Sequence, residues 1–140
     1  MQVLEYIPRD ENDDCAIIVT EFIAGMNLYQ LISTEADEAL PGKKGSLTEK
    51  EAVTITRKIV QAVHDMHKRD VIHRDLHLRN LMLKFKSIEI TEKDLENPKE
   101  FFEKRLPVKL EDEIKHLADA NAYEIIIIDY GLSRDFDDSG

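Results

Sequence analysis

The apolar positions of this 140-residue chain change period several times, and each change predicts a different element. Val3–Ile7 and Ala16–Phe22 are short runs rich in β-branched and aromatic residues, which suits strands. The polar stretch Arg-Asp-Glu-Asn-Asp-Asp between them reads as a hairpin connection. Gly25 closes the second run. Leu28, Leu31 and Ile32 then recur at helical spacing, ahead of a Pro-Gly-Lys-Lys-Gly turn at 41–45. The clearest helix covers about 48–68: Thr48 and Glu51 have capping-box spacing, and Ala52, Ile55, Ile59, Val63 and Met66 repeat every three or four residues. Val71 and Ile72 follow after a short turn. Leu81–Phe85 and Glu124–Ile128 read as two further short strands.

Residues 86–122, between those two strands, carry helix signals of their own. Asn97 suits an N-cap, Pro98 the first helical position, and Glu100 stands three after the cap. Pro107 is expected to stop that helix, and Glu111–Ala120 to form another. The segment is expected to be a solvated helical excursion on the surface. A partner-docking arm is the alternative, suggested by Phe101, Phe102 and Leu106 lying close together. Taken together, the elements predict an α/β (α+β) fold in a single domain.

Composition narrows the class. With 42% hydrophobic and 34% charged residues, the chain has enough apolar material for a core and is not of disordered type. A net charge of −10 disfavours nucleic acid and anionic membrane surfaces as partners. No apolar run is long enough to span a bilayer, and the first residues have no signal-peptide layout. Cys15 stands alone, read as a small strand residue, and suits a reducing, cytoplasmic setting.

The chemistry is concentrated at 72–80, Ile-His-Arg-Asp-Leu-His-Leu-Arg-Asn. His73, Arg74, Asp75, Leu76 and Asn80 fit H-R-D-L-x-x-x-N at every fixed position. Five specified residues give a chance match of about one in ten thousand or rarer in a chain of this size. Downstream, Ile-Ile-Ile-Ile-Asp-Tyr-Gly at 125–131 stands where D-F-G would follow a strand. On these two motifs the chain resembles the eukaryotic protein-kinase family, covering its middle portion from hinge to D-F-G. On that alignment residues 86–122 form an insertion within a partial protein-kinase-like domain.

The resemblance implies transfer of a phosphoryl group from ATP, with Mg²⁺, to a protein hydroxyl. Asp75 would be the base that orients the acceptor, and Asn80 and Asp129 the metal ligands. His73 would buttress the loop and the D-F-G segment, and Arg74 would face a phosphorylated activation-loop residue. The run Ile-Ile-Val-Thr-Glu-Phe-Ile-Ala-Gly-Met-Asn-Leu resembles the segment that holds adenine. It implies Thr20 as gatekeeper, Glu21 and Ile23 as backbone partners of the base edge, Asn27 near the ribose and Met82 as the pocket floor. The chemistry of the residue types agrees: Mg²⁺ prefers oxygen ligands, and a carboxylate of ordinary pKa is ionised at neutral pH.

Departures from the pattern keep other readings open. His77 stands where Ser/Thr kinases carry Lys, which is similar to the loop of aminoglycoside and choline kinases; Arg79 is similar to receptor tyrosine kinases. Ile-Asp-Tyr-Gly-Leu-Ser resembles small atypical kinases. No Gly-x-Gly-x-x-Gly loop occurs. The alternatives are therefore a non-catalytic, pseudokinase-like binding module, whose 86–122 insertion engages a partner protein, and an atypical or small-molecule kinase. The chain alone is expected not to turn over. The stripe on the 48–68 helix is expected to lack a covering surface, giving marginal stability or association.

Overall fold

The computed structural model describes residues 2–9, 15–33 and 44–135. Among these residues seven strands and five α-helices form an α+β arrangement. Strands β1 (Val3–Ile7) and β2 (Ile17–Thr20) pair antiparallel as the hairpin the sequence predicts. Most of their connection, like residues 41–43 of the turn at 41–45, lies outside the described residues. Cys15 is exposed and precedes β2 rather than joining it.

The second sheet is the structural centre. Strand β3 (Gly25–Asn27) pairs with β5 (Leu81–Phe85), and β5 with β6 (Tyr123–Ile127), all antiparallel. Alternation decides its two faces. Met26, Leu81, Leu83, Phe85, Tyr123, Ile125 and Ile127 are buried, while Met82, Lys84 and Ile126 lie on the opposite side. The ladder is unusually close at Gly25, which the sequence pattern takes for a mere terminator of the preceding run. A Cβ there would run into the Leu83 carbonyl, whose carbon would be only 2.9 Å away, so no larger residue fits without moving β5.

Helix α1 (Leu28–Ile32) starts at Asn27, whose side chain and that of Gln30 form a reciprocal capping box. Helix α2 (Glu49–His67) has the predicted box between Thr48 and Glu51, with Lys44 paired to the Glu51 carboxylate. Its stripe does find a surface, contrary to the sequence expectation. Helix α2 packs on β6; Ile55 and Met66 are buried, and Ile59 and Val63 pack against the core. Val53 and Val60, one heptad apart on another face, are the apolar residues of α2 left exposed.

The largest correction concerns 86–122. Helix α3 (Glu92–Glu96) is followed by α4 (Pro98–Glu100), which opens on Asn97 with Pro98 and Glu100 placed as the sequence predicts. Pro107, however, does not stop the helix. A π-helical turn at Phe101–Arg105 leads directly into α5 (Leu106–Glu113), which a 3₁₀ turn extends through His116. In the wide turn the Leu106 N–H donates to the Phe101 carbonyl, five residues back. That extra residue per turn shifts the backbone at the point where a proline ring and its missing donor would otherwise break the ladder. Glu111–Ala120 is accordingly no separate helix.

The segment is not a solvated excursion either. Ile88, Phe101, Leu106, Leu110, Ile114 and Leu117 are buried members of the same core cluster as the central sheet. Phe101 and Leu106, two of the three residues that suggest a docking arm, are thus spent internally. Asp94, also buried, accepts from Thr91 and pairs with Arg105 at 2.8 Å, tying α3 to the π turn.

Candidate functional site

Strand β4 (Val71–Ile72) pairs with β7 (Arg134–Asp135), so the stretch before the His-Arg-Asp motif and the stretch after Asp-Tyr-Gly are held side by side. His73 then turns inward and is almost fully buried. Its Nε2 lies 2.8 Å from the Ile128 carbonyl, and its Nδ1 lies 3.2 Å from the Asp75 N–H. A carbonyl only accepts and an N–H only donates. The ring therefore carries its proton on Nε2 and accepts at Nδ1, which satisfies both partners. The Tyr130 ring packs edge-on against it at 5.1 Å, and burial pushes the Tyr130 phenol above its ordinary pKa.

Asn80 reaches the same point from the other side. The 3₁₀ turn Leu78–Asn80 ends at β5, and the Asn80 carbonyl accepts from the Ile128 N–H at 2.9 Å. Both backbone groups of Ile128 are thus fixed, one by Asn80 and one by His73. The next residue is Asp129. It adopts a left-handed backbone with φ of 60°, costly for a residue with a Cβ, and its carboxylate accepts from the Gly131 N–H. The geometry links Asn80 to Asp129 through a single residue.

Asn80 is itself buried, and its Nδ2 donates to the Asp75 carbonyl at 2.9 Å. Because that carbonyl can only accept, the orientation of the amide is determined: Oδ1 is the atom available to a ligand. The Nδ2 also lies 3.1 Å from His77 Nε2, and that nitrogen is 3.7 Å from the Asp75 carboxylate. His77 thus touches two of the predicted site residues, although the sequence reading treats it only as a departure. Arg74, another left-handed residue with φ of 66°, donates through Nε to the Leu132 carbonyl. Arg79 stacks its guanidinium on Tyr29, 3.8 Å from the ring centroid, and so joins the loop to α1.

The predicted adenine-side residues fall into two groups. Asn27 and Met82 stand opposite each other across the β3–β5 ladder, with Ile126 next to Met82 on β6, all on the face away from the core. Asn27 uses its Oδ1 to cap α1. Lys84, on the same face as Met82, pairs with Glu21 at 3.4 Å. The Gln2 backbone N–H and the Lys84 ammonium hold the Glu21 carboxyl below the usual carboxylate range. Ile23 is buried, and Thr20 ends β2. A mostly apolar groove of about 890 Å³ runs between β2, α2 and β6; of the predicted residues it reaches only Thr20 and Asp129.

Sequence reasoning missed Ile128 because its role is played by backbone atoms, to which residue type is blind. It placed no weight on a His77–Asn80 contact, although a side chain three residues before the Asn in a tight turn is a readable signal. Among the described residues no group of three or more His, Cys, Asp or Glu could hold a metal ion. Asn80 and Asp129 offer oxygen ligands of the kind Mg²⁺ accepts when phosphates and water complete its shell.

With that geometry in view, the comparisons are specific. The protein kinase domain model matches residues 1–140. Over 68 residues the chain is 40% identical to MAP kinase-activated protein kinase 2 of Drosophila melanogaster, covering 49% of this chain and 17% of that protein. It is 38% identical over 73 residues to NUAK family SNF1-like kinase 1 of Homo sapiens, covering 52% of the chain and 10% of that protein. With calcium-dependent protein kinase 29 of Arabidopsis thaliana it shares 37% identity over 81 residues, covering 58% and 14%. The matched stretches are less than a fifth of these relatives' lengths. This chain belongs to the protein kinase family. Among its described residues no helix is long and apolar enough to cross a membrane.

Proposed function

We propose that the chain carries the base and metal-binding part of an ATP- and Mg²⁺-dependent protein kinase acting on a Ser, Thr or Tyr hydroxyl. The observation that supports this most is the clamp on Ile128, which joins Asn80 and Asp129, the two intended metal ligands, through one residue. Asp75, held at the loop by His73 through its N–H, would receive the acceptor proton. Mg²⁺ would neutralise charge on the transferred phosphates. Asn80 Oδ1 and the Asp129 carboxylate would hold it.

On the nucleotide side, Glu21 and Ile23 would meet the base edge with backbone groups, Asn27 would lie by the ribose, and Met82 would form the floor. Thr20 would stand behind the base. His73 is then a buttress, and Arg74 the residue open to regulation by a phosphate. The cofactor set (ATP and Mg²⁺), a protein substrate and a cytoplasmic setting go with this reading. No Gly-x-Gly-x-x-Gly is present to cover phosphates, so binding rather than turnover is expected of the chain itself. Of the residues that suggest a partner protein at 86–122, Phe102 alone remains accessible.

Thermal melting with and without Mg-ATP tests the proposal. Nucleotide at a hundred times its Kd should stabilise the chain by about 2.7 kcal/mol. The shift should need Mg²⁺ and disappear in Asp129→Asn. A cooperative melt indifferent to nucleotide would instead support a non-catalytic binding module.

A further inference from the structure

The 86–122 segment reaches the proposed nucleotide site through an aromatic pair. The ring of Phe102, on the π turn, meets the ring of Phe22 edge-to-face with centroids 5.1 Å apart. Phe22 is the middle residue of Glu21-Phe22-Ile23, whose backbone is proposed to read the base edge. We propose that Phe102 is a positioning residue for nucleotide binding, acting through Phe22 to fix the Glu21–Ile23 backbone. This rests on the nucleotide-site reading given above.

Burial is what separates this role from ordinary packing. Phe102 remains 44% exposed and Phe22 52% exposed, so neither ring fills the core. The core position on the π turn belongs to Phe101, 2% exposed, whose ring supports Phe102 from below at 5.5 Å. The π turn carries both phenylalanines: it seats one ring in the core and leaves its neighbour facing Phe22.

Phe102 also completes a set of restraints on the same few residues. The Glu21 N–H donates to the Gln2 carbonyl, and the Glu21 carboxylate takes the Gln2 N–H and Lys84. Ile23 and Ala24 are buried, and α5 packs against β3 immediately beyond them. Phe22 lies between these two anchored ends with its side chain outward. Without the Phe102 ring, the peptide groups on either side of Phe22 would lose a restraint between those ends. A base-edge contact made by backbone atoms depends on their angle as much as on their distance.

The test uses the full chain and its Phe102→Ala, Phe102→Tyr and Val108→Ala variants. Two quantities are read: hydrogen exchange of the amides from Glu21 to Ala24 without ligand, and the Kd for Mg-ATP. An edge-to-face aromatic pair corresponds to about a two- to tenfold effect on an equilibrium. Phe102→Ala should raise both exchange and Kd by about that factor with little change in melting temperature. Phe102→Tyr should restore both. Val108→Ala, at an exposed position on the same helical run, should leave both unchanged.

If Phe102→Ala binds Mg-ATP as the parent does and its Glu21–Ala24 amides exchange no faster, the proposal is overturned. If the parent binds no nucleotide at all but exchange at Glu21–Ala24 still rises in Phe102→Ala, the contact positions the segment while the nucleotide reading falls. A Phe102→Ala chain that fails to melt cooperatively is replaced by Phe102→Leu, read in the same two ways. Loss of cooperative folding in that variant too would make Phe102 a folding residue and overturn the proposal.

Discussion

The hairpin β1–β2 and the helical segment 86–122 invert what their sequences suggest. The hairpin is the more apolar, yet Val3, Leu4, Tyr6, Ile7, Ile17, Ile18 and Val19 are all exposed, and two strands alone bury almost nothing. The helical segment is rich in Lys and Glu, yet it supplies a large share of the core. Stability therefore resides in the unit made of β3, β5, β6 and the helices between them. Just beyond the hairpin, the proposed base-reading residues are joined to that unit by the Glu21–Lys84 pair and the Phe22–Phe102 contact. The proposed site would then have one wall held by the bonds to Ile128, beside Asn80 and Asp129, and one wall whose order depends on what touches it.

The sharpest way to break this comparison is a cavity in the helical segment. Leu110 on α5 is completely buried. Leu110→Ala should destabilise the chain by about 2–5 kcal/mol, measured by urea denaturation. Against a net stability of about 5–15 kcal/mol, a fall of that size places the segment within the cooperative unit. A change under about 0.5 kcal/mol would return 86–122 to the surface excursion the sequence suggested.

How far the sequence discloses this division depends on which atoms carry it. The His-Arg-Asp motif, the capping box at Thr48, the N-cap at Asn97, and strands β5 and β6 follow from residue type and spacing, because side chains make those features. The Ile128 clamp holds backbone groups of that residue, one by the His73 ring and one by the Asn80 carbonyl, so the residue type at 128 does not announce it. The burial of 86–122 does have a signal, obscured by Pro107. Phe101, Leu106, Leu110, Ile114 and Leu117 are spaced by five, four, four and three residues. The first step breaks α-helical phase, and the π turn is the structural feature that absorbs it. A proline read as a helix stop conceals a helix continued by other means. The exposed hairpin shows the converse: β-branched runs predict extended backbone, and say nothing of what covers it.

A smaller effect sharpens the comparison from inside the core. Tyr123 is fully buried at the start of β6; its hydroxyl donates to the Leu117 carbonyl at 2.8 Å, and the Lys58 ammonium lies over its ring. Burial pushes its phenol up to about 12, so the hydroxyl stays protonated and donating across the neutral range. Tyr123→Phe keeps the ring and removes the donor. It should cost about 1–3 kcal/mol, because the Leu117 carbonyl is left without that partner. Heat denaturation at neutral pH would show a lower Tm, and no change would mean water replaces the hydroxyl.

The smallest expected effect is in the hairpin, and it tests the other half of the comparison. Ile18 pairs with Tyr6 and is 61% exposed, so its side chain gains little from the fold as described. Ile18→Thr keeps a β-branched residue suited to a strand while removing apolar surface. Stability should change by less than about 0.5 kcal/mol, as for a surface position with no special contact. The same substitution should reduce any concentration-dependent association, since exposed apolar area drives it. The two readouts separate the possible roles. A large loss of stability in a monomer would mean that β2 packs more tightly than its exposure indicates. An unchanged monomer with weaker self-association would mean that the hairpin is a surface to be covered, while the fold holds itself together at the helices on the other side.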